Sequence, residues 1–310
     1  AYSDRGAIKG NLGDNKAAIK DFNKAIDLQP DNATAYYSRA ISKAELGDDA
    51  AAIKDFTKAI DLGMNTAEIY FNRGTLRGQL GDDKAAIKDF DKAIELDPSY
   101  VEAYGNRGLS KRNLGDDEAA TKDFSKAIEL DPNDALAYYN RGGVKIDNGI
   151  VDDIKAALKD FNKTIELDPN YTEAYLSRGV CKVSLGDDKA AIEDFNKTIA
   201  LNADNPFAYA GRGLSKSKLG DYKAAIKDYD KAIALDPDYA EAYLNRGVCK
   251  VSLGDDKAAI KDFTKAIELD PNYADAYYSR GLAEENLGND KAANNDFAKA
   301  IKLGLEDPSA

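Results

Sequence analysis

The chain has 310 residues, 43% apolar and 32% charged, enough to bury a core either as two ordinary domains or as one extended repeat array. A formal net charge of −12 and a pI near 4.7 argue against nucleic acid as a ligand, because phosphates are held by clustered Lys and Arg. No apolar run approaches the ~20 residues that span a bilayer and no secretory n-region and h-region opens at Ala1, so no membrane partner is expected; the compartment stays open, with the cytoplasm favoured.

A period of 34 residues runs along the chain: Arg5, Arg39, Arg73, Arg107, Arg141, Arg178, Arg212, Arg246 and Arg280 keep that spacing except for one interval of 37. The same lattice carries tyrosines from Tyr2 to Tyr277 and second-segment aromatics from Phe22 to Phe297. About nine units follow, forming a single array over 1–310. The first, 1–32, enters midway along a helix without an N-cap at Ala1-Tyr2, so further protein is expected upstream, and end-to-end self-association is expected through this uncapped face. The next three, 33–66, 67–100 and 101–134, are regular. The fifth, 135–171, carries a three-residue insertion near 150–152, expected to lengthen its inter-helix turn. Units 172–205, 206–239 and 240–273 return to the period. The ninth, 274–310, has Asn294 and Asn295 where other second helices mostly carry Ile or Leu, such as Ile192 and Ile260, and this face is expected to meet water.

Within the unit from Ala240 to Tyr273, apolar residues fall at helical spacing in two segments separated by Leu253-Gly254-Asp255, the pattern of a helical hairpin. Counting Ala240 as position 1, positions 4, 7, 8, 11 and 14 of the first helix and 20, 24, 27 and 28 of the second are expected to face the core, at 100° per residue. Gly247 and Ala259 are small where the helices would touch. Gly254 stops the first helix, Asp255 caps the second, and Asp270-Pro271 ends it.

Tyr243, Gly247, Ala259, Phe263, Ala266 and Pro271 fall on the aromatic, Gly, Ala, Phe, Ala, Pro pattern of the tetratricopeptide repeat, and the chain resembles that family from Ala1 to about Leu303. The resemblance implies an all-α fold, a right-handed α-solenoid superhelix of tandem helix-turn-helix units, with a concave groove lined mainly by first helices that usually binds peptides. Some residues depart from the pattern. Met64 and Ala203 replace the usual Pro, Ala40 replaces Gly, and a basic residue such as Lys111 or Lys250 replaces the aromatic at position 11 in eight of nine units, which leaves the superhelix pitch open.

Nine arginines in register suggest an anion-binding stripe, but each unit also has an Asp one residue before its second-helix aromatic, from Asp21 to Asp296. A partly buried guanidinium without a carboxylate would cost ~3–5 kcal/mol, so pairing explains the co-occurrence, and the favoured reading is structural. The tyrosines at position 4 are expected to be core packing.

Positions 2, 5, 9 and 12 point roughly opposite the expected core stripe, towards the side that the resemblance makes a groove. The residues expected to bind a peptide are Tyr37, Phe71, Tyr139, Leu176, Leu244 and Tyr278 at position 5, with Leu109, Val180, Leu214 and Val248 at position 9. Bare apolar stripes of this kind normally mark interaction sites. Acids at position 2, among them Glu68, Glu102, Glu173, Glu241 and Asp275, make the expected partner a protein or peptide that is apolar or aromatic with some basic character. Asn72, Asn106, Asn140 and Asn245 at position 6 resemble the asparagine ladder of some peptide-binding family members; they either bond a peptide backbone or are solvated helix residues. The Lys and Asn of the family's carboxylate clamp are missing from positions 5 and 9, so capture of a C-terminal carboxylate by that mechanism is not expected.

There is no histidine, no G-x-x-x-x-G-K-[ST], no G-x-G-x-x-G and no G-x-S-x-G. Cys181 and Cys249 lie two units apart, ~20 Å for stacked helices, too far for a disulfide. No catalytic residue, metal or cofactor is assigned, and the chain is expected not to be an enzyme. Asp-Asp pairs such as Asp255-Asp256 recur in most turns, which fits helix capping better than an active site. The expected function is a non-catalytic scaffold gripping a peptide segment; the alternative is an assembly module that self-associates or packs an adjoining segment of its own chain.

Overall fold

The computed structural model describes residues 1–147 and 150–305. It is divided into two compact bodies, Ala1–Asp147 and Asn148–Ala310. The first body holds α1 (Tyr2–Asn11), α2 (Asn15–Leu28), α3 (Ala33–Ala44), α4 (Asp49–Asp61), α5 (Ala67–Gln79), α6 (Asp83–Leu96), α7 (Val101–Asn113), α8 (Asp117–Leu130) and α9 (Ala135–Asp147). The second holds α10 (Val151–Leu167), α11 (Thr172–Ser184), α12 (Asp188–Leu201), α13 (Pro206–Lys218), α14 (Tyr222–Leu235), α15 (Ala240–Ser252), α16 (Asp256–Leu269), α17 (Ala274–Asn286) and α18 (Asp290–Lys302). Among the described residues there is no strand, and no helix is long and apolar enough to cross a membrane. Odd-numbered helices are the first helices of repeats and even-numbered ones the second.

The turn inside each hairpin follows from Gly-Asp. Gly81 has φ +80°, a conformation open to Gly, and its amide and that of Asp82 bond back to the carbonyls of Gly78 and Arg77 at 2.9 Å each, ending α5. The Asp82 carboxylate then accepts from the Ala85 amide at 3.2 Å and starts α6. Asp14, Asp48, Asp116, Asp187, Asp221 and Asp255 repeat this cap.

A second helix that has first helices on both sides within one body is buried from two sides. Towards its own first helix, Phe263 presses on Gly247, where an added Cβ would stand 2.5 Å from the ring. Towards the next first helix, Ala259, Phe263 and Ala266 of α16 pack with Ala276 and Ala283 of α17. Ala225, Tyr229 and Ala232 of α14 likewise meet Ala242 and Cys249 of α15. Positions 3 and 10 therefore carry the contact between repeats. They lie within ~20° of each other around a helix of 100° per residue, a stripe not anticipated from the sequence.

That stripe corrects the expected core. Position 14 is solvent-facing: Leu12, Leu46, Leu80, Leu114, Leu219, Leu253 and Leu287 are all exposed. The position-4 tyrosines are half-buried rather than core, Tyr104 being buried and Tyr2 exposed. Each lies against the guanidinium three residues on, at 5.2–5.7 Å from ring centroid to Cζ.

The insertion in the fifth repeat also differs from expectation. α10 begins at Val151 and has 17 residues, against 14 in α12, α14 and α16, so the extra residues extend the second helix at its start. Residues 148 and 149 lie outside the described residues. In α18, Asn294 and Asn295 are exposed, as their polarity predicts.

Candidate functional site

The arginines of the ladder are held by the fold, Arg5 remaining the most exposed. Arg246 donates from Nε and Nη2 to Asp262 at 3.0 and 2.7 Å, and from Nη1 to Asp230 of the preceding repeat at 2.7 Å. Arg39, Arg73, Arg107, Arg178, Arg212 and Arg280 bridge in the same way, each binding the Asp of its own repeat and a polar side chain one repeat back. Arg5 binds Asp21, and Arg141, whose expected partner Asp160 belongs to the other body, donates to Ser125 Oγ at 3.2 Å.

Sequence reasoning missed the role of position 11. Lys250 Nζ donates at 2.6 Å to Asp262 Oδ2, the oxygen that also accepts from Arg246 Nε, and Lys9, Lys43, Arg77, Lys111, Lys182 and Lys216 reach the Asp of their own repeats in the same way. The basic residue that replaces the family's aromatic therefore completes a cation–Asp–cation triad. The signal was available: it co-occurs with the Arg and the Asp, and the ninth repeat departs from it with Glu284. Burial works against the Arg107 cation, but bonds to Asp123 and Asp91 outweigh it and hold its pKa above the usual arginine value. Bonds from Arg5 and Lys9 hold the Asp21 carboxyl well below the carboxylate range.

With the ladder occupied, the open surface is the face made by consecutive first helices. Three clefts recur there, each with a second-helix Phe as floor and two successive first helices as walls. Ala7 and Gly10 of α1 face Ser38, Ile41 and Ser42 of α3 over Phe22, enclosing about 360 Å³. Thr75 and Gly78 of α5 face Asn106, Leu109 and Asn113 of α7 over Phe90, about 300 Å³. In the second body, Leu176, Val180 and Val183 of α11 face Phe207, Ala210, Gly211 and Leu214 of α13 over Phe195, with Tyr239, Glu241 and Asn245 at the edge, about 400 Å³.

The expected binding residues divide between cleft and core. Leu109, Leu176, Val180, Leu214 and Asn245 line clefts. Val180 and Val248 are exposed, like Ile41 and Leu282 at the same position. Leu244, however, is buried, packed with Ala259 and Phe263. Asn140 is also buried, at 7% exposure. Tyr37, Phe71 and Tyr278 are half-buried, with ring centroids 5.7, 6.0 and 5.5 Å from Phe56, Phe90 and Phe297 of their own repeats, and Tyr139 is half-buried too. Position 5 lies ~60° from the core-facing position 8 and ~40° from position 9, so its larger side chains fall back on the core while position 9 carries the exposed apolar series.

The asparagines are not a free ladder either. Asn72 Nδ2 donates to Tyr37 Oη at 3.4 Å and Asn106 Nδ2 to Thr75 Oγ1 at 3.2 Å, each tying its helix to the preceding first helix. Residues missed from sequence include Phe207, which is 53% exposed and meets Tyr239 edge to face at 5.4 Å. An aromatic at position 2, where Glu173 and Glu241 stand in the flanking repeats, was its signal.

Acids accompany the aromatics of this face. Burial, with the Glu68 carboxylate alongside, raises the Tyr37 hydroxyl above its ordinary range, and burial beside Glu241 pushes Tyr239 up to about 12. Glu68, Glu102, Glu173, Glu241 and Asp275 are exposed. Among the described residues, no cluster of His, Cys, Asp and Glu is placed to hold a metal ion. Cys181 and Cys249 are buried and unbridged.

Models described as TPR repeat match residues 11–47, 108–149, 216–249 and 250–288, and models described as tetratricopeptide repeat match 67–100, 151–206, 33–62 and 274–303. No curated protein sequence matches the chain. Among solved structures, the C-terminal part of a TPR repeat-containing protein from Cytophaga hutchinsonii aligns with TM-score 0.64 and 22% identity over 78% of this chain and 98% of its own. A tetratricopeptide repeat protein from Parabacteroides merdae aligns with TM-score 0.61 and 21% identity over 78% and 95%. YrrB, described as a TPR protein with an unusual peptide-binding site, aligns with TM-score 0.53 and 25% identity over 62% and 97%. Helical hairpins of one period, phenylalanines seated on glycines, and family matches spread from residue 11 to residue 303 lead to one conclusion: the chain belongs to the tetratricopeptide repeat family.

Proposed function

We propose that this protein is a non-catalytic interaction scaffold whose first-helix face holds a peptide segment of another protein, apolar in part and carrying basic side chains. The observation that carries this reading is the recurrence of one cleft: a Phe floor between two first helices, at Phe22, Phe90 and Phe195, with acids of position 2 along the face. A repeated cleft suits an extended chain that places side chains at intervals. The arginines and tyrosines, which would otherwise compete as an anion site, are satisfied within the fold. A peptide-binding site in YrrB supports the same use of this architecture.

The test is panning of a displayed peptide library against the protein and a variant carrying Ile41→Asp, Val180→Asp, Val248→Asp and Leu282→Asp, four exposed positions whose change leaves the core alone. Peptides rich in apolar and basic residues should enrich on the parent and be lost on the variant, with circular dichroism unchanged. Equal enrichment on both, or none on either, overturns the reading.

A further inference from the structure

Three substitutions coincide on α13. Where the flanking repeats carry Glu173, Leu176 and Ser177, or Glu241, Leu244 and Asn245, α13 has Phe207, Ala210 and Gly211. The flanking helices are nearly identical to each other; α7 also has a small residue at position 5, Gly105, and α9 an apolar one at position 2, Leu136, but α13 combines all three changes. Each change enlarges or aromatises one cleft. Ala210 removes the side chain that Leu176 and Leu244 supply, and Gly211 leaves room for the Phe195 ring, whose Cζ would stand 2.6 Å from a Cβ at that position. Phe207 turns an acidic rim into an aromatic one, set edge to face on Tyr239.

The remaining charge at this cleft is negative. Glu241 is exposed and lines its edge. Asp188, at the start of α12 and outside the lining of this cleft, is the counterpart of Asp83, which lines the cleft over Phe90 and accepts from Asn113 at 3.2 Å. Its would-be partner on α13 is Lys218, an exposed lysine rather than an asparagine, and Asp188 Oδ1 is buried with no hydrogen-bond partner.

We propose that the cleft between α11 and α13 is the specificity pocket of the scaffold, receiving one large apolar side chain, Phe or Leu, of a partner peptide whose adjacent Lys or Arg pairs with Glu241. This deepens the peptide-binding reading and rests on it. The apolar side chain sits against Leu176, Val180, Leu214 and Phe207 above Phe195, and the neighbouring cation meets Glu241 at the exposed edge of the cleft.

The test uses fluorescein-labelled twelve-residue peptides of Gly-Ser background bearing Phe-Lys, Leu-Lys, Ala-Lys or Phe-Glu at their centre, read by anisotropy. Phe-Lys and Leu-Lys should bind, with Ala-Lys and Phe-Glu weaker by about tenfold or more, one decade being the ordinary scale of a single lost anchor. Ala210→Leu, which fills the pocket with the residue its neighbours carry, should weaken Phe-Lys to the level of Ala-Lys. Phe207→Ala, at an exposed rim, should weaken it without disturbing the fold, and Glu241→Gln should narrow the gap between Phe-Lys and Phe-Glu. If Phe-Lys binding survives Ala210→Leu and Phe207→Ala but is lost in the four-aspartate variant, the pocket assignment is wrong and the wider groove stands. If no peptide of the set binds, the pocket assignment falls, and peptides enriched from the random library decide the groove separately.

Discussion

Tyr229 stands where the eight other repeats, from Phe22 to Phe297, have phenylalanine, and its side chain is fully buried with a hydroxyl that has no hydrogen-bond partner among the described residues. An unsatisfied buried hydroxyl costs on the order of 1–3 kcal/mol, and Phe conserves the ring. Tyr229→Phe should therefore stabilise the protein by about 1 kcal/mol in urea unfolding followed by circular dichroism. Burial has a second consequence for proton-bearing groups. It pushes the Cys181 thiol up to about 11 and, with nearby acids, Tyr239 and Tyr273 up to about 12. The folded chain thus keeps protons that the unfolded chain sheds, so stability is intact below roughly pH 9 and falls as pH rises from there towards 12. Urea midpoints across pH 8 to 11 should decline, and Cys181 and Cys249 should resist a thiol reagent at pH 8 until the chain unfolds.

The hairpins show what could be read beforehand and what could not. Gly-Asp turns and Arg with Asp were accessible because each couples two residues at fixed separation, and a charge in register with its countercharge has one economical explanation; Gly247 was read as a helix contact, but not as the seat of Phe263. The position-11 lysine was misjudged as a mere loss of the aromatic, because its partner Asp262 was already assigned to Arg246. The position-5 stripe was misjudged for a geometric reason: at 100° per residue it lies between core and surface, so Leu244 packs on Phe263 and Ala210, equally buried, leaves space in the cleft over Phe195. Two cations meet each Asp, which sharpens a stability prediction. Asp262→Ala removes the shared partner of Arg246 and Lys250, whose side chains are 16% and 21% exposed, and should cost about 3 kcal/mol, as expected when one partner of a largely buried ion pair is deleted. Urea unfolding measures it; a loss below about 0.5 kcal/mol, the range of ordinary surface changes, would contradict the structural role of the ladder.

For the protein as a whole, the proposed peptide binding draws on a net charge of −12 and a face where acids border apolar clefts. A basic peptide should be drawn in electrostatically, so raising salt from 0.1 to 1 M, which shortens the Debye length from ~10 to ~3 Å, should slow association more than it speeds dissociation. Stopped-flow measurement on an enriched peptide distinguishes the two rates. The most direct test of the account asks where that peptide lies. With a diazirine placed on its central apolar residue, crosslinks should fall on first-helix residues such as Val180, Leu214 and Val248, and leave second-helix surface residues such as Lys227 and Lys261 unlabelled. Crosslinks concentrated on Lys227, Lys261 and their neighbours would contradict it.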